Sequence, residues 1–165
     1  MMSPPVIENE TERLASLHSL SVLDTAAEAE FDELVELAAW TCHAPIAAIS
    51  LIDEHRQWFK SEVGVGTAET ERSIAFCAHT VTQGQTIVVP DTMLDPRFRE
   101  NPFVIAGPEV RFYAGVPISV DDGLNVGSLC VLDTRPRTLF SDERRTLEII
   151  ARQVQSQLHA RRLER

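Results

Sequence analysis

The stretch that decides the fold of this chain is "RFYAGVPISVDDGLNVGSLCVLD", residues 111–133. Its first half alternates apolar and other side chains with the two-residue period of a strand that buries one face. The alternating apolar residues are Phe112, Ala114, Val116 and Ile118. Asp122 and Gly123 then offer the positive-φ conformations of a tight turn, and a second apolar stretch follows. We therefore predict a β-hairpin, in which Gly115 and Pro117 indicate a bend or a sheet edge.

Three further segments upstream have the character of strands. "IAAISLID" at 46–53 and "QWFKSEVG" at 57–64 predict an earlier hairpin, and "QTIVVPD" at 85–91 predicts another strand. The stretch "DPRFRENP" that follows predicts a brief helix, with Asp95 as its N-cap and Pro102 as its end.

Helices are predicted at both ends of the chain. Asn9 with Glu12 and Thr25 with Glu28 have capping-box spacing, and Ser141 is expected to cap a long terminal helix. Two apolar stripes have helical spacing: Phe31, Leu34, Val35, Ala38 and Cys42, then Leu147, Ile150, Ala151, Val154 and Leu158. Strands gathered centrally with helices at both ends predict an α+β fold.

The composition indicates one cytoplasmic globular domain. The chain has 165 residues, 44% of them hydrophobic, which is enough to bury a core without disulfides. Its formal net charge of -10 argues against nucleic acid as a partner, and no signal peptide or membrane span is predicted. Cys42, Cys77 and Cys130 are widely separated, which is typical of reduced cytoplasmic thiols.

Charge is distributed unevenly between the two ends. Residues 1–40 hold nine acids against Arg13 alone, whereas residues 135–165 hold eight arginines against four acids. The terminal apolar stripe continues towards Arg161, farther than one sheet face is expected to cover. We therefore predict a homodimer through the terminal helices, with a monomer packed only on its own sheet as the alternative.

A cysteine and a histidine stand two residues apart in "SIAFCAHTV", residues 73–81. In a helix, Cys77 and His79 would lie about 200° apart, and no second pair has zinc spacing, so no metal site is predicted. A reactive thiol is conceivable beside Arg72 and His79, which favour the thiolate. Because no resolving cysteine is evident, a structural or pocket-lining Cys77 is favoured.

A dense polar and aromatic stretch, "PDTMLDPRFRENPF" at 90–103, precedes "VRFYAG". It is either a loop tied down by internal ion pairs or the lid of a pocket with apolar walls and a few placed polar groups. In both cases we expect Arg111 to form charge-assisted hydrogen bonds with the segment from Asp91 to Arg97.

The order of these motifs, with "NETERLASL", "R.IAFCAHTV", "VVPDTMLDPRFRENPFV" and "VGSLCVLDTRPRTL", resembles the GAF domain family of bacterial signalling proteins. The resemblance implies a PAS-like six-stranded antiparallel sheet. The N- and C-terminal helices would cover one face, and loops and short helices would enclose a ligand cavity on the other. It gives a domain over residues 10–162, with its terminal helix at 141–162, after a flexible segment 1–9.

The resemblance also supplies candidate ligand-binding residues, which fall on segments that surround the cavity in the family. They are Phe76, Cys77, His79, Asp91, Arg97, Phe98, Arg111 and Tyr113. The resemblance also implies that Arg72 faces this cavity together with His79.

The marks of specialised members are missing. The cyclic-nucleotide pattern has the wrong spacing around Phe140, and the Cys42-His43 pair lies on a helix instead of the late cavity wall used by bilin-binding members. Cys77 falls near a cavity cysteine of the free methionine sulfoxide reductases, but "DPRFRENPFV" lacks the partner cysteine.

These observations predict a non-enzymatic sensory domain that binds an unidentified small ligand or a partner surface and passes the signal through its terminal helices; they do not identify a cofactor. A histidine kinase or diguanylate cyclase is the kind of output domain that the resemblance implies. Two alternatives stay open: a thiol reductase centred on Cys77, and a dimerisation scaffold without a ligand.

Overall fold

The computed structural model describes residues 2–164, which form one six-stranded antiparallel sheet with helices on both faces. The strands are β1 Ile46–Ile52, β2 Arg56–Val63, β3 Glu69–Glu71, β4 Ile87–Val89, β5 Phe112–Asp121 and β6 Leu124–Asp133. They lie in the order β3-β2-β1-β6-β5-β4. The helices are α1 Glu10–Ser19, α2 Ala29–Thr41, α3 Phe76–Gln83, α4 Pro102–Ile105 and α5 Ser141–Leu163, with single 3-10 turns at Arg72–Ile74 and Thr92–Leu94. The α+β prediction is confirmed.

The hairpin predicted from residues 111–133 forms β5 and β6, which lie between β1 and β4 in the sheet. Gly123 has a φ of 74°, as its turn requires. The strand β4 pairs only with residues 113–115, so Pro117 lies where β5 has become a sheet edge and loses no ladder hydrogen bond to β4. The pairing also shifts register after Ile118, so the expected irregularity is present.

One face of the sheet is covered by α1, α2 and α5. The alternating residues of β5 point into this layer, and both predicted helical stripes are buried there except Leu34, which is half-buried. Burying a leucine or isoleucine side chain contributes about 1.5–3 kcal/mol, so these contacts dominate the stability of the layer.

The terminal stripe is covered completely by its own chain. Leu147, Ile150, Val154 and Leu158 are between 0% and 3% exposed, and none of this stripe is left for a partner. Arg161 binds Glu28 of the same chain at 3.0 Å, so the complementary ends neutralise each other internally. The expectation that part of this stripe stays uncovered was therefore wrong, while a homodimer stays a prediction.

Two predicted helix starts differ from the structure. Thr25 does not cap α2, because its hydroxyl donates to the carbonyl of Val22 and the chain stays non-helical until Ala29. The buried ammonium of Lys60 requires this, since it donates to Thr25 Oγ1 and to the Ala26 carbonyl. The α5 helix has Phe140 at its N-cap, with Ser141 as the first helical residue.

Asn9 does occupy the N-cap position of α1, but its side chain makes no cap. The amide donates to the carbonyl of Gly123, which ties α1 to the β5–β6 turn.

The predicted helix at residues 95–102 is a series of turns. The Asp95 carboxylate accepts from the Arg97 N–H, as expected of an N-cap, and also binds the Arg97 guanidinium, but only turns follow it. Pro102 begins α4 instead of ending a helix, because Asn101 caps that helix by accepting from the Phe103 N–H.

The N-terminal segment before α1 has no helix or strand from residue 2 to 7, and Ile7 packs half-buried against the cavity side of the sheet. Met1, which belongs to the predicted flexible segment 1–9, and Arg165 lie outside the described residues. Within residues 2–164, no helix has the length and apolar character needed to cross a membrane.

Candidate ligand cavity

The face of the sheet opposite α5 bounds a cavity of about 100 Å³. Its sheet wall includes Ala48, Gln57, Phe59, Tyr113, Cys130 and Leu132. Its cover includes Val65, Thr67, Phe76, Phe103, Pro108 and Val110. The wall arises from strand alternation: because Phe112 and Ala114 point towards the helices, Tyr113 and Gly115 must face the cavity.

The hydroxyl of Tyr113 lies at the centre of a buried polar cluster. It is 2.6 Å from Thr80 Oγ1 and donates to Cys77 Sγ at 3.4 Å. The ring reaches this position by folding back over Gly115, where a Cβ would lie 2.6 Å from Tyr113 Cζ. Glycine at 115 is therefore required by close approach within the sheet.

Cys130 completes this cluster from the neighbouring strand. It is paired with Gly115, is buried, and lines the same cavity as Cys77. Burial opposes ionisation of Cys77, but hydrogen bonds from Cys130 and Tyr113 outweigh it and lower its pKa. Burial raises the pKa of Tyr113, and a hydrogen bond to Cys77 together with burial raises the pKa of Cys130.

Further polar groups cross the sheet towards β3. Ser50 donates to Gln57 Oε1 at 2.5 Å, and Gln57 Nε2 donates to Thr70 Oγ1 at 2.9 Å. Among the described residues, Ser128 has the one buried side-chain oxygen without a hydrogen-bond partner. The cavity face of the sheet thus carries uncharged polar groups.

Behind the cavity lies an aromatic cluster around Phe98. Its ring centroid is 4.8 Å from that of Phe76 and 4.9 Å from that of His79, both in edge-to-face geometry. His79 is only 5% exposed. Burial, reinforced by the nearby Arg97 guanidinium, lowers its pKa to about 4, so the ring is neutral at pH 7.

Two ion pairs hold the outer wall. Arg111 binds both oxygens of Asp91 at 3.0 and 3.1 Å, and Arg97 binds Asp95 at 2.8 Å. The Arg97 guanidinium also stacks over the Phe98 ring, 5.1 Å from its centroid. The expected charge-assisted contact between Arg111 and the Asp91–Arg97 segment is present.

The structure divides the predicted site residues into two groups. Phe76, Cys77 and Tyr113 line the cavity. His79, Asp91, Arg97, Phe98 and Arg111 form the wall behind it.

Arg72, expected with His79 at the cavity, instead binds Glu10 at 2.6 Å, which holds it beside α1. Among residues 2–164, no three histidine, cysteine, aspartate or glutamate side chains are grouped to hold a metal ion.

Sequence reasoning missed the residues that β2 and β6 supply, notably Gln57, Phe59 and Cys130. The position of Cys130 could have been predicted from the sequence, because the hairpin register places it opposite Gly115 on the same face as Tyr113. The expectation that Cys77 has no cysteine partner was therefore wrong.

The sheet order, the helical layer and the enclosed cavity are those of a GAF domain. The sequence matches the GAF domain family over residues 26–158, and the chain belongs to that family. It is 40% identical over 163 residues to a Pseudomonas aeruginosa protein named as a cyclic di-GMP phosphodiesterase, covering 98% of this chain but 28% of that protein.

Solved structures agree on the fold at low sequence identity. A free methionine-R-sulfoxide reductase from Neisseria meningitidis, solved with its substrate, has a TM-score of 0.68 and 14% identity, covering 100% of this chain and 99% of that one. The GAF domain of an Acinetobacter phosphoenolpyruvate-protein phosphotransferase has a TM-score of 0.65 and 15% identity, covering 96% and 95%.

Proposed function

We propose that this chain is a non-enzymatic sensory domain of bacterial signal transduction that binds a small ligand in the cavity. The observation that carries the proposal is the position of the cavity on β5. Tyr113 faces the cavity, while its neighbours Phe112 and Ala114 pack into the layer that contains α5. A ligand that moves Tyr113 therefore acts on the strand that supports the terminal helix.

The regulated output is a domain that turns over cyclic di-GMP in the cytoplasm. The name of the Pseudomonas relative supports this class over a histidine kinase, and the 28% of its length that the chain spans leaves room for a separate catalytic region. Hydrolysis belongs to that region, because the cavity described above lacks charged groups for phosphate.

Native mass spectrometry of the gently purified protein tests ligand binding directly. The expected result is an added mass that disappears on denaturation and is absent from Leu132→Trp, which fills the cavity. Leu163→Trp, at an exposed position, is the matched control. Retention of the same mass by Leu132→Trp would place the ligand elsewhere and contradict the proposal.

A homodimer is proposed on a different surface from the terminal stripe. Leu37 and Trp40 on α2 are 41% and 75% exposed, and Ile149 on the adjoining α5 is 39% exposed. These side chains are available for a second copy. Sedimentation of Trp40→Glu should give a monomer while Glu36→Gln stays dimeric; equal association of both variants would exclude this surface.

A second candidate function is a thiol reductase, which the Cys77–Cys130 pair favours. The Cys77 thiolate would attack a sulfoxide sulfur, leaving a sulfenic acid on Cys77 and releasing the thioether. The Cys130 thiol would then displace water to form a disulfide, which an external dithiol reduces.

Free methionine sulfoxide is a zwitterion, however, and the cavity lining offers its carboxylate and ammonium no charged partner. Incubation with methionine sulfoxide and dithiothreitol should therefore give no turnover. Turnover that is lost in Cys77→Ser and Cys130→Ser would establish the reductase instead.

A third alternative is the dimerisation scaffold without a ligand. It is disfavoured because side chains leave the cavity unfilled.

A further inference from the structure

We infer that the ligand of this cavity is a neutral aromatic molecule of about one ring that carries a single hydrogen-bonding group. The inference rests on the function proposed above and specifies the chemistry of its ligand. The size of the cavity supplies the first limit. Its volume of about 100 Å³ is of the same order as the roughly 150 Å³ of an engineered cavity that binds benzene, so one ring is the upper limit, and it is well below the roughly 300–1,000 Å³ of most ligand sites.

The lining excludes a charged ligand. None of the sixteen lining residues, all within the described part of the chain, is a lysine, arginine, histidine, aspartate or glutamate. The two nearby cations in the wall, Arg97 and Arg111, are engaged by Asp95 and Asp91. A carboxylate or phosphate would lose its hydration without gaining a counter-ion, which is unfavourable in a buried site.

The walls favour a flat ring. Phe59, Phe76, Phe103 and Tyr113 all line the cavity, and Phe76 meets Phe103 edge-to-face with 6.3 Å between centroids. Aromatic rings attract one another in such offset and edge-to-face arrangements beyond the effect of area alone.

One polar side chain keeps spare hydrogen-bonding capacity. An amide offers two N–H donors and two carbonyl lone pairs, and Gln57 uses one N–H on Thr70 and one lone pair on Ser50. Its remaining N–H and lone pair match one hydroxyl group of a ligand. Phenol and benzyl alcohol meet these requirements of the cavity. Cyclic nucleotides, including cyclic di-GMP, do not.

Calorimetric titration of the whole chain at pH 7 tests this with phenol and benzyl alcohol, against benzoate as the charged counterpart and cyclic di-GMP. We expect dissociation constants on the order of 0.1–1 mM for the neutral probes, given their few atoms, and at least tenfold weaker binding of benzoate. Ala48→Leu, which fills the cavity, should weaken phenol binding at least tenfold. Val65→Trp, at the half-buried cover, tests the same point if Ala48→Leu fails to fold, and exposed Ala160→Leu should bind normally.

The outcomes separate the two proposals. Failure of both neutral probes to bind, or phenol binding that survives Ala48→Leu and Val65→Trp, would overturn the neutral-ring inference. Tight binding of benzoate or a nucleotide that Ala48→Leu abolishes would also overturn it, yet leave a ligand-sensing cavity standing. If native mass spectrometry of the parent protein also shows no retained mass, the sensory function itself fails.

Discussion

The side chain of Tyr113 occupies the space that any side chain at position 115 would need. A Cβ on Gly115 would overlap the Tyr113 hydroxyl and lie 2.9 Å from Thr80 Oγ1. The two residues therefore specify each other across one strand face.

Replacing Gly115 by alanine should destabilise the domain by about 1–3 kcal/mol, the cost of overpacking a filled site. Urea unfolding gives the value, and Gly107→Ala is the control because no atom lies within 4 Å of its added Cβ. An unfolding free energy equal to that of Gly107→Ala would show that Tyr113 moves aside without penalty.

Glu28 should be more important for stability than its position at a loop suggests. It pairs with Lys60, whose side chain is fully buried, and with Arg161. Glu28→Ala leaves the Lys60 ammonium without a counter-ion and should cost about 3 kcal/mol in chemical denaturation. Glu30→Ala, on the exposed side of α2, should change the free energy by less than about 0.5 kcal/mol.

Acid should weaken the same contact. Although burial opposes its charge, hydrogen bonds from Lys60 and Arg161 lower the pKa of Glu28 below its usual value of 4.5. Its stabilising contribution is complete above pH 4.5 and is lost as the pH falls through the lowered pKa. The free energy of unfolding, measured by chemical denaturation from pH 6 to pH 3, should therefore decrease less steeply for Glu28→Gln than for the parent. Identical slopes would contradict this assignment.

His79 should make stability depend on pH at a higher range. Its pKa falls from 6.5 to about 4 in the folded protein because of burial and then Arg97, so the unfolded chain binds a proton that the folded chain does not. Stability is complete above pH 6.5 and decreases towards pH 4, with a slope approaching about 1.4 kcal/mol per pH unit. His79→Phe should remove this slope, while substitution of exposed His55 by Gln should leave it unchanged.

Arg111 should restrain the outer wall of the cavity. Arg111→Ala removes its bonds to Asp91 and should cost about 1 kcal/mol, because the pair is partly exposed. Hydrogen exchange over residues 92–110 should become several-fold faster, whereas exposed Arg99→Ala should not alter it. Unchanged exchange in Arg111→Ala would make that arginine a surface residue without a restraining role.

Cys77→Ala should leave the fold intact and cost about 1–2 kcal/mol as a small buried truncation. The whole-chain titration with phenol should be nearly unaffected, because the spare hydrogen bonds come from Gln57. A loss of phenol binding above tenfold would assign the thiol a direct role.

Local periodicity was sufficient to predict the main strands and the stripes of α2 and α5, because burial of one face imposes that period directly. Phe76, Cys77 and Tyr113 came from the family resemblance and not from periodicity, as three of eight candidate residues. The cavity residues Gln57 and Cys130 depend on which strands become neighbours, and β1 lies between β2 and β6 in the sheet although β6 is the last strand in sequence. The helix boundaries predicted at Thr25 and Pro102 were wrong because contacts with distant residues override local preference. Lys60 binds the Thr25 hydroxyl, and Asn101, which caps the helix that Pro102 begins, is held by the carbonyl of Ile74.

The strand β5 connects the cavity with the end of the terminal helix. Tyr113 stands near one end of it, and Asp121 at the other end binds Arg162 of α5 at 2.9 Å and Ser16 of α1 at 2.6 Å. Eight residues of extended chain separate these ends by about 26 Å. Under the proposed sensory function, a ligand that displaces Tyr113 would act near one end of a strand whose other end is bonded to the last turn of the terminal helix.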